Sequence, residues 1–200
     1  PGSTGDVRHD GRLAPGQLVS RTTRIPPTRL LELLPDDGAV AWVRRGEGLV
    51  GYGPALRVEL PSATALTESG DLWRSLTGHA AVRDDVNLPG TGPVAFVSFP
   101  FSRDSAAGGV LLVPSVVLGR RGEDCWVTST AWSSALPTPV TPLPVAAPPA
   151  PGEIELGVGS LSRDTWRARV SEAVQRIAAG DVDKVVLARD VTVNAEQPID

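Results

Sequence analysis

Cysteine occurs once in this chain, at Cys125, and histidine twice, at His9 and His79. A single thiol excludes an internal disulfide and any cysteine-cluster metal site. His9 stands in a polar leader and His79 at the end of an expected helix; neither has zinc-type spacing, and both read as incidental. Aromatic residues make up only 4% of the sequence and are scattered, and Lys and Arg form no run or stripe. A nucleic-acid surface is therefore not expected. No apolar stretch approaches the roughly 20 residues of a membrane span, and the N-terminus lacks a basic-then-apolar targeting pattern. No G-x-S-x-G elbow is present, so Ser-His-Asp catalysis has no support. These absences leave a cytoplasmic protein with a solvated surface of mixed charge as the expectation.

What is present is turn chemistry. The 21 glycines and 19 prolines fall between apolar runs, in a chain that is 41% hydrophobic with a net charge of -4. Residues 1–17 read as a disordered leader. Residues 18–133 read as a β-rich part. It comprises a strand over Val19–Ile25, a short helix over Thr28–Leu34 opened by Pro26-Pro27, and a hairpin of Ala39–Arg44 and Gly48–Tyr52. A third strand over Arg57–Leu60 and a helix over Asp71–Val82 follow. Gly92–Phe99, Gly109–Val113, Ser115–Leu118 and Cys125–Thr130 are strand-like, the last two separated by a turn at Gly119–Gly122. Residues 134–152 form a Pro/Ala-rich connector. Residues 153–200 start a second part: an element at Glu153–Val158, a helix over Asp164–Ala179 capped by Ser162 and Gly180, and a strand over Val182–Val193. Neighbouring strands with occasional helices predict an α+β fold of largely antiparallel sheets with helices packed outside.

Two patterns invite a functional reading and fail it. Gly46, Gly48 and Gly51 match G-x-G-x-x-G, but a dinucleotide loop needs a helix after it, whereas Pro54 and an apolar strand follow. With Gly53 they read as hairpin glycines. Glu153 and Glu155 share a strand face by parity, yet nothing else converges on them, and exposed acids are expected.

The segment Asp183-Lys184-Val185-Val186-Leu187-Ala188-Arg189-Asp190 carries more. Strand alternation places Lys184, Val186 and Ala188 on one face and Val185, Leu187 and Arg189 on the other. Both faces are apolar at their centre, as in a strand buried between layers. On strand physics alone Lys184 is an end charge snorkelling to solvent.

The stretch Trp166–Arg189, an amphipathic helix followed by Ala179-Gly180-Asp181 and Lys-Val-Val-Leu-Ala-Arg, resembles the core of the chorismate-utilising enzymes. Weaker similarity lies at Trp42–Ala55, Val94–Phe101, Leu112-Val113-Pro114 and Trp126-Val127-Thr128. The lysine form of the motif is similar to isochorismate and salicylate synthases; in the aminating relatives another residue replaces it. The Leu30–Pro35 stretch also lacks the Glu-Ser ending of the amino-acid-binding segment in anthranilate synthases.

The resemblance implies an incomplete half of that family's fold. It implies chorismate as substrate, with water delivered to C2 as the C4 hydroxyl leaves, in menaquinone or siderophore synthesis. Lys184 is then the general base, which must be neutral to act, a state favoured by burial or a nearby cation. The resemblance further implies a glutamate acid and a Mg2+ held by other glutamates, none assignable to residues 1–200; Mg2+ suits oxygen ligands. On this expectation the chain is an N-terminal fragment, inactive alone, with substrate-binding residues unassigned. A salicylate synthase and a non-catalytic module retaining the scaffold are the alternatives.

Overall fold

Alternating apolar residues punctuated by Gly and Pro turns build one large sheet and one small ribbon. The computed structural model describes residues 16–35, 38–142, 144–145 and 149–198. The chain divides into two units, Pro1–Ala146 and Ala147–Asp200. Among the described residues it is a mixed α+β structure, mostly sheet, with two α-helices.

In the first unit, strands β1 (Gln17–Ile25), β2 (Val40–Arg44), β3 (Glu47–Leu60), β4 (Ala81–Asp84), β5 (Phe96–Ser98), β6 (Gly109–Arg121) and β7 (Asp124–Ser133) form an open sheet. Its order is β2-β3-β6-β7-β1-β4, with β5 also on β6. Every pairing is antiparallel except β1 with β4. Helix α1 (Ala65–Gly78) packs on one face through Leu76 and Ala65 against Leu18, Leu56, Leu111 and Val113. A 3₁₀ turn at Leu30–Leu33 packs Leu30 and Leu33 against Val50, Val116, Leu118 and Val127. Strand β6 is thus buried on both faces, each enclosed Leu or Val contributing about 1.5–3 kcal/mol.

Several expected boundaries move, each for a local reason. The leader's residues 1–15 lie outside the described residues, and Gln17 already begins β1. The helix expected over Thr28–Leu34 is the single 3₁₀ turn. The separate strands at Arg57–Leu60, Gly109–Val113 and Ser115–Leu118 are parts of two long strands. Pro54 lies opposite Pro114 and the register shifts between Pro54 and Leu56; a bulge accommodates prolines that would otherwise interrupt a ladder. The helix expected over Asp71–Val82 begins at Ala65, because its buried face continues through the small residues Ala65 and Ser69. Ala81 and Val82 leave it to pair with Val19 and Ser20. Of the run Gly92–Phe99 only β5 is strand. Gly119 lies inside β6, opposite Trp126, and the turn is Gly122-Glu123.

The second unit pairs β8 (Ile154–Val158) with β9 (Val191–Ala195) antiparallel, around helix α2 (Arg163–Ala178). The strand expected over Val182–Val193 is a strand only from Val191. Residues 182–190 make no ladder among the described residues, and the expected burial between layers is absent: Val186 is 79% exposed. Apolar alternation specifies a core strand only where flanking strands supply its hydrogen bonds.

Candidate functional site

Lys184 is positioned by the end of α2. Ser162 caps the helix start, its Oγ accepting from the Thr165 amide at 3.1 Å. At the other end the Gly180 amide donates to Ile177 O (3.1 Å) and the Asp181 amide to Arg176 O (3.0 Å). With Gly180 at φ +80°, this is a Schellman motif, which requires a left-handed residue and favours glycine. The Asp181 carboxylate lies 3.5 Å from the Arg176 guanidinium. The chain thereby leaves the helix, bends at Asp183 and makes no ladder before Val191 among the described residues.

Val182, Val185 and Leu187 close against Trp166, Ala173 and Arg176 of α2 around a cleft of about 270 Å³. Lys184 does not line it. Lys184 is exposed. Among the described residues Lys184 makes no ion pair and has no carboxylate hydrogen-bonded to it. Arg189 is half-buried.

The far end of the segment is anchored by Asp190, an interaction that motif reasoning does not single out. Its carboxylate accepts from the Ser160 hydroxyl and from the Ser160 amide at 2.9 and 3.0 Å. The Ser160 hydroxyl above all, then the Ser160 amide, hold this carboxyl below the usual carboxylate range. The segment from Asp181 to Asp190 is therefore fixed at both ends, with Lys184 between.

The other candidates take structural places. His79 caps α1, its Nδ1 2.9 Å from Ser75 O, and His9 lies outside the described residues. Cys125 is buried and free. Gly46 (φ +83°) serves the β2–β3 turn, and a Cβ on Gly48 would lie 2.0 Å from Trp42 O. Glu153 and Glu155 are both exposed. Among the described residues no three His, Cys, Asp or Glu side chains are grouped to hold a metal ion, and no helix is long and apolar enough to cross a membrane.

Compared with family models, curated proteins and solved structures, the chain finds no match.

Proposed function

We propose that the chain is the N-terminal part of a chorismate-utilising enzyme, an isochorismate synthase, in which Lys184 is the general base. In this role the Lys184 amine takes a proton from the water that attacks C2 of the ring. The ring double bonds shift, and the C4 hydroxyl leaves as water after accepting a proton from an acid outside residues 1–200. The observation that carries the proposal is the Lys184–Arg189 motif that follows α2. The Schellman turn at Gly180 and the Asp190–Ser160 contact bound the segment that carries Lys184, whose side chain is exposed.

The family resemblance also calls for Mg2+. The described residues do not fit the ion, since no group of three suitable side chains exists among them, and no step here runs through it.

The test is Lys184→Ala in the complete enzyme, with isochorismate quantified chromatographically. Loss of a general base lowers the rate by about 10²–10⁴-fold, with the circular dichroism spectrum unchanged. Retained turnover removes Lys184 from the mechanism, and salicylate as the end product assigns the sister activity. The 200 residues alone are expected to produce no isochorismate from chorismate; turnover at an ordinary enzymatic rate refutes the fragment reading.

A further inference from the structure

A different feature lies at one end of the large sheet. Two hairpin turns sit side by side there, Arg45-Gly46 between β2 and β3 and Gly122-Glu123 between β6 and β7. The ladder places Gly48 opposite Arg120, and Glu47 Oε1 accepts from the Gly122 amide at 3.1 Å, tying the turns together. Between these turns and the loop at Pro89-Gly90 is a shallow, open cleft of about 380 Å³.

Trp42, Arg44, Glu47, Arg120, Arg121 and Trp126 line it. Arg44 and Arg121 present their guanidinium groups on this face, with the Glu47 carboxylate between them in the strand register, whereas Arg120 alternates to the opposite face. Glu47 is already engaged by the Gly122 amide. Arg120 is tethered, its Nε donating to Gly122 O (3.0 Å) and its Nη1 to Thr28 O (3.3 Å). Arg44 and Arg121 are exposed and have no carboxylate partner among the described residues.

The aromatic walls differ in a useful way. Trp126 is 1% exposed and its indole N–H donates to Gly90 O at 3.2 Å, so that wall is fixed. Trp42 is 79% exposed and presents an open ring.

We propose that this cleft binds a planar aromatic phosphate, with a mononucleotide as the simplest member of the class. A phosphate carries about -1.5 to -2 charge and three acceptor oxygens near neutral pH, enough to engage both exposed guanidinium groups at once. Arginine forks bind such groups bidentately. The ring of the ligand stacks on Trp42 while its phosphate engages Arg44 and Arg121. This site is independent of Lys184 and of the proposed function.

The experiment is a titration of the full chain with adenosine monophosphate at low ionic strength, followed by calorimetry and amide NMR shifts. Saturable one-to-one binding is expected, with adenosine and inorganic phosphate each at least about tenfold weaker. Arg44→Gln, Arg121→Gln and Trp42→Ala each weaken binding by about tenfold or more. Arg44→Lys and Arg121→Lys, which keep the charge but lose the fork, fall between. Because these side chains are exposed, the variants keep the parent thermal midpoint. Arg176→Gln, in the other unit, leaves binding unchanged. The proposal is overturned by no saturation up to about 5 mM, by equal affinity for phosphate alone, by tighter binding of a single-stranded oligonucleotide, or by indifference to all three substitutions.

Discussion

Single side chains decide more here than their type suggests. Gly119 reads in the sequence as a turn residue, yet it sits mid-strand beneath the Trp126 ring, and a Cβ there would lie 2.1 Å from Trp126 Cε2. The ring cannot retreat, being buried and tied to Gly90 O. Gly119→Ala is therefore expected to cost about 2–3 kcal/mol by overpacking, measured by urea unfolding; a loss below about 0.5 kcal/mol would show the ring to be free to move. Asp84 makes a pH-dependent contribution. Burial pushes its carboxyl up, but the Thr91 hydroxyl and the Asn87 and Val86 amides together outweigh this and leave it below the ordinary value. The two amides donate to Asp84 Oδ1 at 3.0 and 2.9 Å. A depressed carboxyl stabilises the fold above its unfolded value of about 3.9, and that contribution is lost as pH falls through the folded value. The stability difference between the parent and Asp84→Asn should accordingly be full at pH 6 and shrink below about pH 4. A difference independent of pH would assign the loss to packing instead.

Elements were legible where pattern and turn chemistry agree. The β2–β3 hairpin, β1, and α2 with its Ser162 and Gly180 caps stand close to where periodicity and turn residues put them. Misreadings cluster where a tertiary partner changes the meaning of a residue. Pro114 reads as a break but faces Pro54 across a bulge. Ala65 and Ser69 read as neutral but continue the buried face of α1. Val185–Leu187 read as core yet have no ladder. The same logic applies to the candidate residues: Lys184 is singled out by its motif alone, whereas the Asp190–Ser160 contact and the arginine cleft depend on residues distant in sequence. One turn still carries a local conflict. Arg45 adopts φ +56° ahead of Gly46 at φ +83°, the primed turn that Asn-Gly fits best. Arg45→Asn is expected to raise stability by about 0.5 kcal/mol, seen as a higher urea midpoint with an unchanged slope. A lower midpoint would mean that the Arg45 side chain, not the backbone, sets this turn.

At the scale of the whole molecule the two units differ in how their apolar residues are used. In the first, Leu18, Val50, Leu56, Leu111, Val117 and Leu118 are all at most 1% exposed. In the second, α2 has no buried residue, and Ile154, Leu156 and Val158 are each more than half exposed. The ribbon register sets these three opposite Ala195, Val193 and Val191, so one face of a two-stranded sheet is continuously apolar. A two-stranded ribbon is marginal in water without a packed face, and a helix with no buried side chain relies mainly on its caps and propensity. Opening free energy follows buried apolar contact. Hydrogen exchange on this chain should therefore show amides of β3, β6 and β7 exchanging through openings of several kcal/mol. Those of α2, β8 and β9 should exchange through openings of about 1–2 kcal/mol. Ser162→Ala, which removes a cap contributing about 1 kcal/mol, should then accelerate exchange across α2 while leaving β6 untouched. Equal protection in both units would show that the apolar ribbon face is covered in solution, as would be required if a self-associated chain, rather than the monomer, were the species present.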